Sequence, residues 1–151
     1  MSLRSFIGKL LGANPRLSDL ETLILQSVRE KLSGDIAMLW DRQVQAINKV
    51  QRLPEGVEVN FYRIKCGRPS FDAELAFPNK IEELLVARVQ LKLPDTASKL
   101  IASVWCVKGF LFSIEYEGSV SYFEEAVGMD PKPELTVESE IVADLSTQTT
   151  S

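Results

Sequence analysis

The sequence predicts an α+β domain: N-terminal helices packed on one face of a roughly five-stranded antiparallel meander sheet, then a flexible acidic C-terminal tail. Three observations carry this reading. Apolar residues recur at helical spacing as far as about residue 52, and from Val57 the period falls to two. The connections between the later apolar segments are too short for crossover helices, so neighbouring strands must run antiparallel. Finally, Leu100 to Gly118 reads as one β-hairpin, LIASVWCV and FLFSIEYE joined by Lys108-Gly109.

Residues 3–11 (LRSFIGKLL) place Leu3, Phe6, Ile7, Leu10 and Leu11 on one helical face with Arg4 and Lys9 off it, and Gly12 and Asn14-Pro15 end the segment. This predicts a short helix packed on the domain, with membrane-surface contact as its functional alternative. Ser18-Asp19-Leu20-Glu21 is a capping box opening a helix over 18–33. Its stripe of Leu20, Leu23, Ile24, Val28 and Leu32 is out of phase with a second stripe, Ile36, Leu39, Trp40, Val44, Ile47 and Val50. Gly34 therefore breaks the chain into two pieces, 18–33 and 36–52, nearly collinear. Leu53-Pro54-Glu55-Gly56 closes the helical half.

Strands are predicted over 57–64, 71–77, 84–93, 100–107 and 110–117, separated by Lys65–Ser70, Pro78-Asn79 and Pro94-Asp95-Thr96. Folded about a Lys108-Gly109 turn, the hairpin pairs Val107 with Phe110, Trp105 with Phe112, Ser103 with Ile114 and Ile101 with Tyr116. That face, with four aromatics, is the expected core floor. The other pairs Cys106 with Leu111, Val104 with Ser113, Ala102 with Glu115 and Leu100 with Glu117, and is expected to face outward. Ser121-Tyr122-Phe123-Glu124 resembles a second capping box and adds about one helical turn. Residues 1–128 are thus one domain, and 129–151 an acidic, mobile tail in which Lys132 stands alone against five carboxylates.

The 151-residue chain has a formal net charge of −4, all of it contributed by the tail. No basic stripe is present to neutralise phosphates, so nucleic-acid binding is not expected. No apolar run approaches the roughly 20 residues that span a bilayer, and no signal-peptide pattern opens the chain. Two cysteines without metal-ligand spacing suit a reducing, cytoplasmic location. There is no histidine, which removes the commonest general base and the Ser-His and Cys-His pairs. With no P-loop, dinucleotide fingerprint or nucleophile elbow either, a non-enzyme without cofactor or metal is expected.

The candidate partner-binding residues lie on the face expected to be uncovered: Leu100, Val104 and Leu111 as an apolar strip, Glu115 and Glu117 beside it, and Asp72 and Glu74 by strand alternation. The loop Arg63-Ile64-Lys65-Cys66-Gly67-Arg68 surrounds a thiol with cations, which would favour a reactive Cys66. The expected function is a non-catalytic cytoplasmic protein-interaction domain, for example an inhibitor or immunity-like protein masking a basic partner. The alternative is a small-molecule-binding or carboxylate-based enzymatic domain with a cleft between helices and sheet.

Overall fold

A computed structural model describes residues 14–94, 98–131 and 133–149. The helix expected over 3–11, and its membrane-surface reading, lie outside the described residues. The fold is α+β, and the described residues form three α-helices and a six-stranded antiparallel sheet.

The capping box forms as expected. Ser18 Oγ accepts from the Glu21 N–H (3.1 Å) and Glu21 accepts from the Ser18 N–H (2.8 Å), starting α1, Asp19–Arg29. The second helix, α2, spans Gly34–Ala46 and begins at a glycine with φ +57°, a conformation costly for other residues. The two helices are not collinear. The Arg29 guanidinium donates twice to Asp41, at 3.1 and 3.0 Å, whereas a straight helix would hold them roughly 18 Å apart.

Helix α2 stops six residues before its expected end. Asn14 Nδ2 donates to the carbonyls of Val44 (3.0 Å), which also accepts from the Ile47 N–H, and of Ile47 (2.7 Å), binding the chain where the helix ends. Asn48 then binds the Ile64 main chain through both ends of its amide, at 2.8 and 2.7 Å. An asparagine offers the backbone this alternative to helix. Residues Lys49–Arg52 become strand β1, paired with β2, Glu58–Tyr62.

The strand expected over 71–77 also does not form. After a two-residue ribbon, β3 (Ile64–Lys65) with β4 (Arg68–Pro69), the chain makes a 3-10 turn at Ala73–Leu75. Asp72 accepts from the Glu74 N–H at 3.1 Å and so competes with extended pairing. Phe77 is fully buried beside Trp40, and its N–H donates to the Gly109 carbonyl at 2.8 Å. This segment docks on the tip of the hairpin rather than adding to the sheet.

The meander β5 (Leu84–Lys92), β6 (Lys99–Val107) and β7 (Phe110–Glu117) agrees with the expected strands. The sheet order is β1-β2-β7-β6-β5-β8. Helix α3, Val120–Val127, starts from Ser119 rather than Ser121 and runs for two turns. Strand β8, Thr136–Ile141, comes from the segment expected to be a mobile tail and pairs with β5. Val137, Ser139 and Ile141 turn toward the helices while Glu138 and Glu140 turn out, the alternation of a half-buried strand. Beyond it the Asn79 side chain donates to Asp144 O (2.9 Å), the Asn79 N–H to Leu145 O (3.0 Å), and Leu145 is buried.

The hairpin turn is where it was expected, and the faces are not. Val107 opposes Phe110 and Cys106 opposes Leu111, but Trp105 opposes Ser113, so Phe112 is an extra residue on β7. The inner face of β6 is Leu100, Ala102, Val104 and Cys106, all fully buried. Ile101, Ser103, Trp105 and Val107, expected as core floor, lie on the outer face and remain partly exposed. Both faces of β6 are apolar, so alternation alone does not choose between them. The packing does: Trp40, Phe61, Phe77 and Phe123 fill the interior, leaving room for small side chains on the central strand.

A buried polar group ties these parts together. Gln43, with no exposed surface, donates to Leu75 O (2.5 Å) and Gly109 O (3.0 Å) and accepts from the Leu111 N–H (2.7 Å). Its own carbonyl takes two bonds from Arg63, at 3.2 and 3.0 Å, and Arg63 also donates to Leu111 O at 3.0 Å.

Gln43→Ala takes the buried Leu111 N–H's side-chain acceptor away and removes the bonds to Leu75 O and Gly109 O, so it should destabilise the domain by about 3 kcal/mol. Urea unfolding should show a lower midpoint at unchanged slope. Leu145→Ala should cost about 2–4 kcal/mol in the same assay, as a buried leucine does. A change within error of zero would mean the C-terminal segment does not pack as described.

Candidate functional site

The three helices cover the inner side of the sheet, and the outer side carries the partly exposed Tyr62, Ile101, Trp105, Val107 and Phe112. Tyr62 meets Phe112 edge-on (5.5 Å between centroids, 88°), and Lys49 Nζ lies 5.9 Å from the centre of the Tyr62 ring. The bulge at Phe112 makes this cluster possible, because it turns that ring outward while Leu111 and Ile114 stay in the core.

Beside the aromatics lies a concavity of about 300 Å³, lined by Glu58, Asn60, Glu83, Trp105, Phe112 and Glu115 among others. Strand pairing builds it. Asn60 stands opposite Ser113, Ser113 opposite Trp105, and Glu58 directly opposite Glu115. Like charges facing each other across strands are destabilising. None of these three glutamates forms an ion pair among the described residues. Asn60 is 8% exposed, and its Oδ1 has no hydrogen-bond partner. An unpaired buried acceptor carries a real cost; the Trp105 indole N–H on the same concavity, and Gln26 Oε1 and Trp40 Nε1 elsewhere, are likewise buried without a partner.

The predicted site residues divide. Glu115 and Glu117 do lie exposed at the open end of the hairpin. Leu100, Val104 and Leu111 are fully buried against the helices, so the apolar strip assigned to them is the core and cannot meet a partner. Asp72 and Glu74 sit in the turn docked at the hairpin tip, roughly 20 Å along β7 from Glu115. The structure does not bring them together with Glu115 and Glu117. Sequence reasoning missed Glu58, Asn60, Glu83 and the outward aromatics. Asn60 was the available signal, as a polar residue between Val59 and Phe61 on a buried strand.

The basic loop also separates. Arg63 is buried and holds carbonyl oxygens rather than a carboxylate; burial lowers its pKa to about 10, against a smaller opposing effect of Cys106. Cys66 occupies an exposed turn with Gly67, both at positive φ. Cys106 is buried, and burial pushes its thiol well above the ordinary range despite Arg63. The space between helices and sheet, where a ligand cleft was the alternative, is filled by Trp40, Phe61, Ile24 and Leu111, all fully buried. Among the described residues no three acidic or cysteine side chains gather closely enough to hold a metal ion. No described helix is long and apolar enough to cross a membrane.

Treatment of the native protein with a thiol reagent should modify Cys66 within minutes and leave Cys106 protected until urea is added. Mass spectrometry of the labelled peptides checks this, and early labelling of Cys106 would contradict its burial. No protein-family model, curated protein or solved structure matches this chain.

Proposed function

We propose that this chain is a non-catalytic, cytoplasmic protein-interaction domain that receives a basic partner on the outer face of its sheet. An inhibitor or immunity-like protein masking a cationic surface is the concrete form of this reading. The observation that supports it is the combination on one uncovered face of partly exposed aromatic rings with Glu58, Glu83, Glu115 and Glu117, all without ion-pair partners among the described residues. Aromatics supply contact area at interface centres, and unpaired carboxylates at the rim steer and select a partner of opposite sign. The composition agrees, with net charge −4 and no histidine for acid–base work.

The test is affinity capture from native lysate with the full chain and a Glu115→Lys/Glu117→Lys variant in parallel. The unmodified chain should retain a basic protein stoichiometrically, and the variant should bind it at least about tenfold more weakly. Raising the salt should weaken the complex. Equal retention by both chains would remove the outer face as the interface, and a monomeric chain with no stoichiometric partner would overturn the reading.

A further inference from the structure

We propose that the concavity over Asn60 is an arginine pocket, taking the guanidinium of an arginine side chain presented by the partner. This rests on the outer-face reading above and adds the chemistry that it selects. The floor offers an acceptor, Asn60 Oδ1, already buried and without a partner. The rim offers carboxylates from three segments: Glu58 on β2, Glu115 on β7 and Glu83 just before β5. The walls are the rings of Trp105 and Phe112.

The acceptors and the ring faces suit a planar cation, while the unpaired Trp105 indole N–H is a donor that it leaves unanswered. A guanidinium presents up to five N–H donors in one plane and accepts none, so acceptors at the floor and rim are satisfied together. Its faces stack on aromatic rings, and the indole is the best of these. Among the described residues no three carboxylates gather closely enough to hold a metal ion, whereas a guanidinium reaches several oxygens at once. The directly opposed Glu58 and Glu115 repel each other in the free protein. A cation seated between them removes that repulsion, so binding gains from a fault in the unbound fold. A lysine ammonium has the charge but neither the plane nor the fork.

The test uses the ¹⁵N-labelled full chain and follows two signals, the Trp105 indole N–H and the Asn60 side-chain amide. The probes are a blocked arginine peptide, its lysine and citrulline counterparts, and free arginine. The arginine peptide should shift both signals saturably while the fully buried Trp40 indole stays still. The lysine peptide should bind about fivefold or more weakly, and citrulline, a neutral isostere, should not saturate. Asn60→Leu and Glu58→Gln should each abolish or strongly weaken the Trp105 indole shift, the signal that both variants retain, while melting at or above the temperature of the unmodified chain, since each removes an uncompensated group. A purely structural role would lower the melting temperature instead.

Equal shifts from citrulline and arginine, or no saturable change at Trp105 and Asn60, would overturn the pocket. If partner capture still fell with Glu115→Lys/Glu117→Lys, the outer-face interface would survive that result. Free arginine binding more than about tenfold tighter than the blocked peptide would point to a small guanidinium compound and overturn the protein-borne arginine.

Discussion

The buried amide of Gln43 joins three parts of the chain that are remote in sequence: the end of α2, the 3-10 turn at Leu75 and the hairpin at Gly109 and Leu111. Helix-to-sheet packing is usually carried by apolar contact, which fixes distance better than it fixes direction. Directional bonds from one side chain set how α2 lies on the sheet and where the hairpin tip rests. Arg63 completes the arrangement from the other side, since its guanidinium meets the carbonyl of Gln43 near the negative end of the helix. Among the described residues no carboxylate pairs with this buried charge, and three bonds to carbonyl oxygens with the helix end take that role. Glu21 ties α1 to β1 in a similar manner, with two bonds from Arg52 at 3.0 and 2.8 Å.

Much of this architecture was legible in the residues. The change of period near Val57, the capping box at Ser18 and the Lys108-Gly109 turn all place elements where they are found. What was not legible depends on contacts between distant segments. Residues 49–52 follow a helical stripe, yet Asn14 and Asn48 close the helix and the free edge of β2 takes the segment as a strand. Phe71, Ala73, Leu75 and Phe77 alternate like a strand but do not join the sheet, because Asp72 caps a 3-10 turn and Phe77 enters the core beside Trp40. The acidic end of the chain reads as solvent-loving, and the alternating Val137, Ser139 and Ile141 were too weak a signal against five carboxylates.

The inverted hairpin faces have the most bearing on the site. Aromatic rings normally mark the core because of the area they bury. Here the helices bring Trp40 and Phe123, and the small residues of β6 let them approach. Trp105 and Phe112 are left on the uncovered side by the same packing that fills the interior, with one bulge completing the exchange. The outward acidic face expected from Glu115 and Glu117 is therefore present, but its apolar component is a different set of residues. Asn60 and Glu58 join that set through the β2–β7 pairing, which crosses more than fifty residues of sequence and follows from no local pattern.

Strand β8 bears on how the protein is made. Its partner β5 carries Val86, Ala87, Val89 and Leu91, all fully buried, so without β8 the sheet would end in an apolar edge. Such an edge is a template for pairing with another chain. Thr136–Ile141 follows β5, β6 and β7 in the chain, so until it is made and paired that edge of the meander has no partner. The charges of Glu138 and Glu140 then arrive on the very strand that closes it, giving the finished border a like-charged margin. The last strand to appear is thus both the lid on a sticky border and the guard against the next molecule.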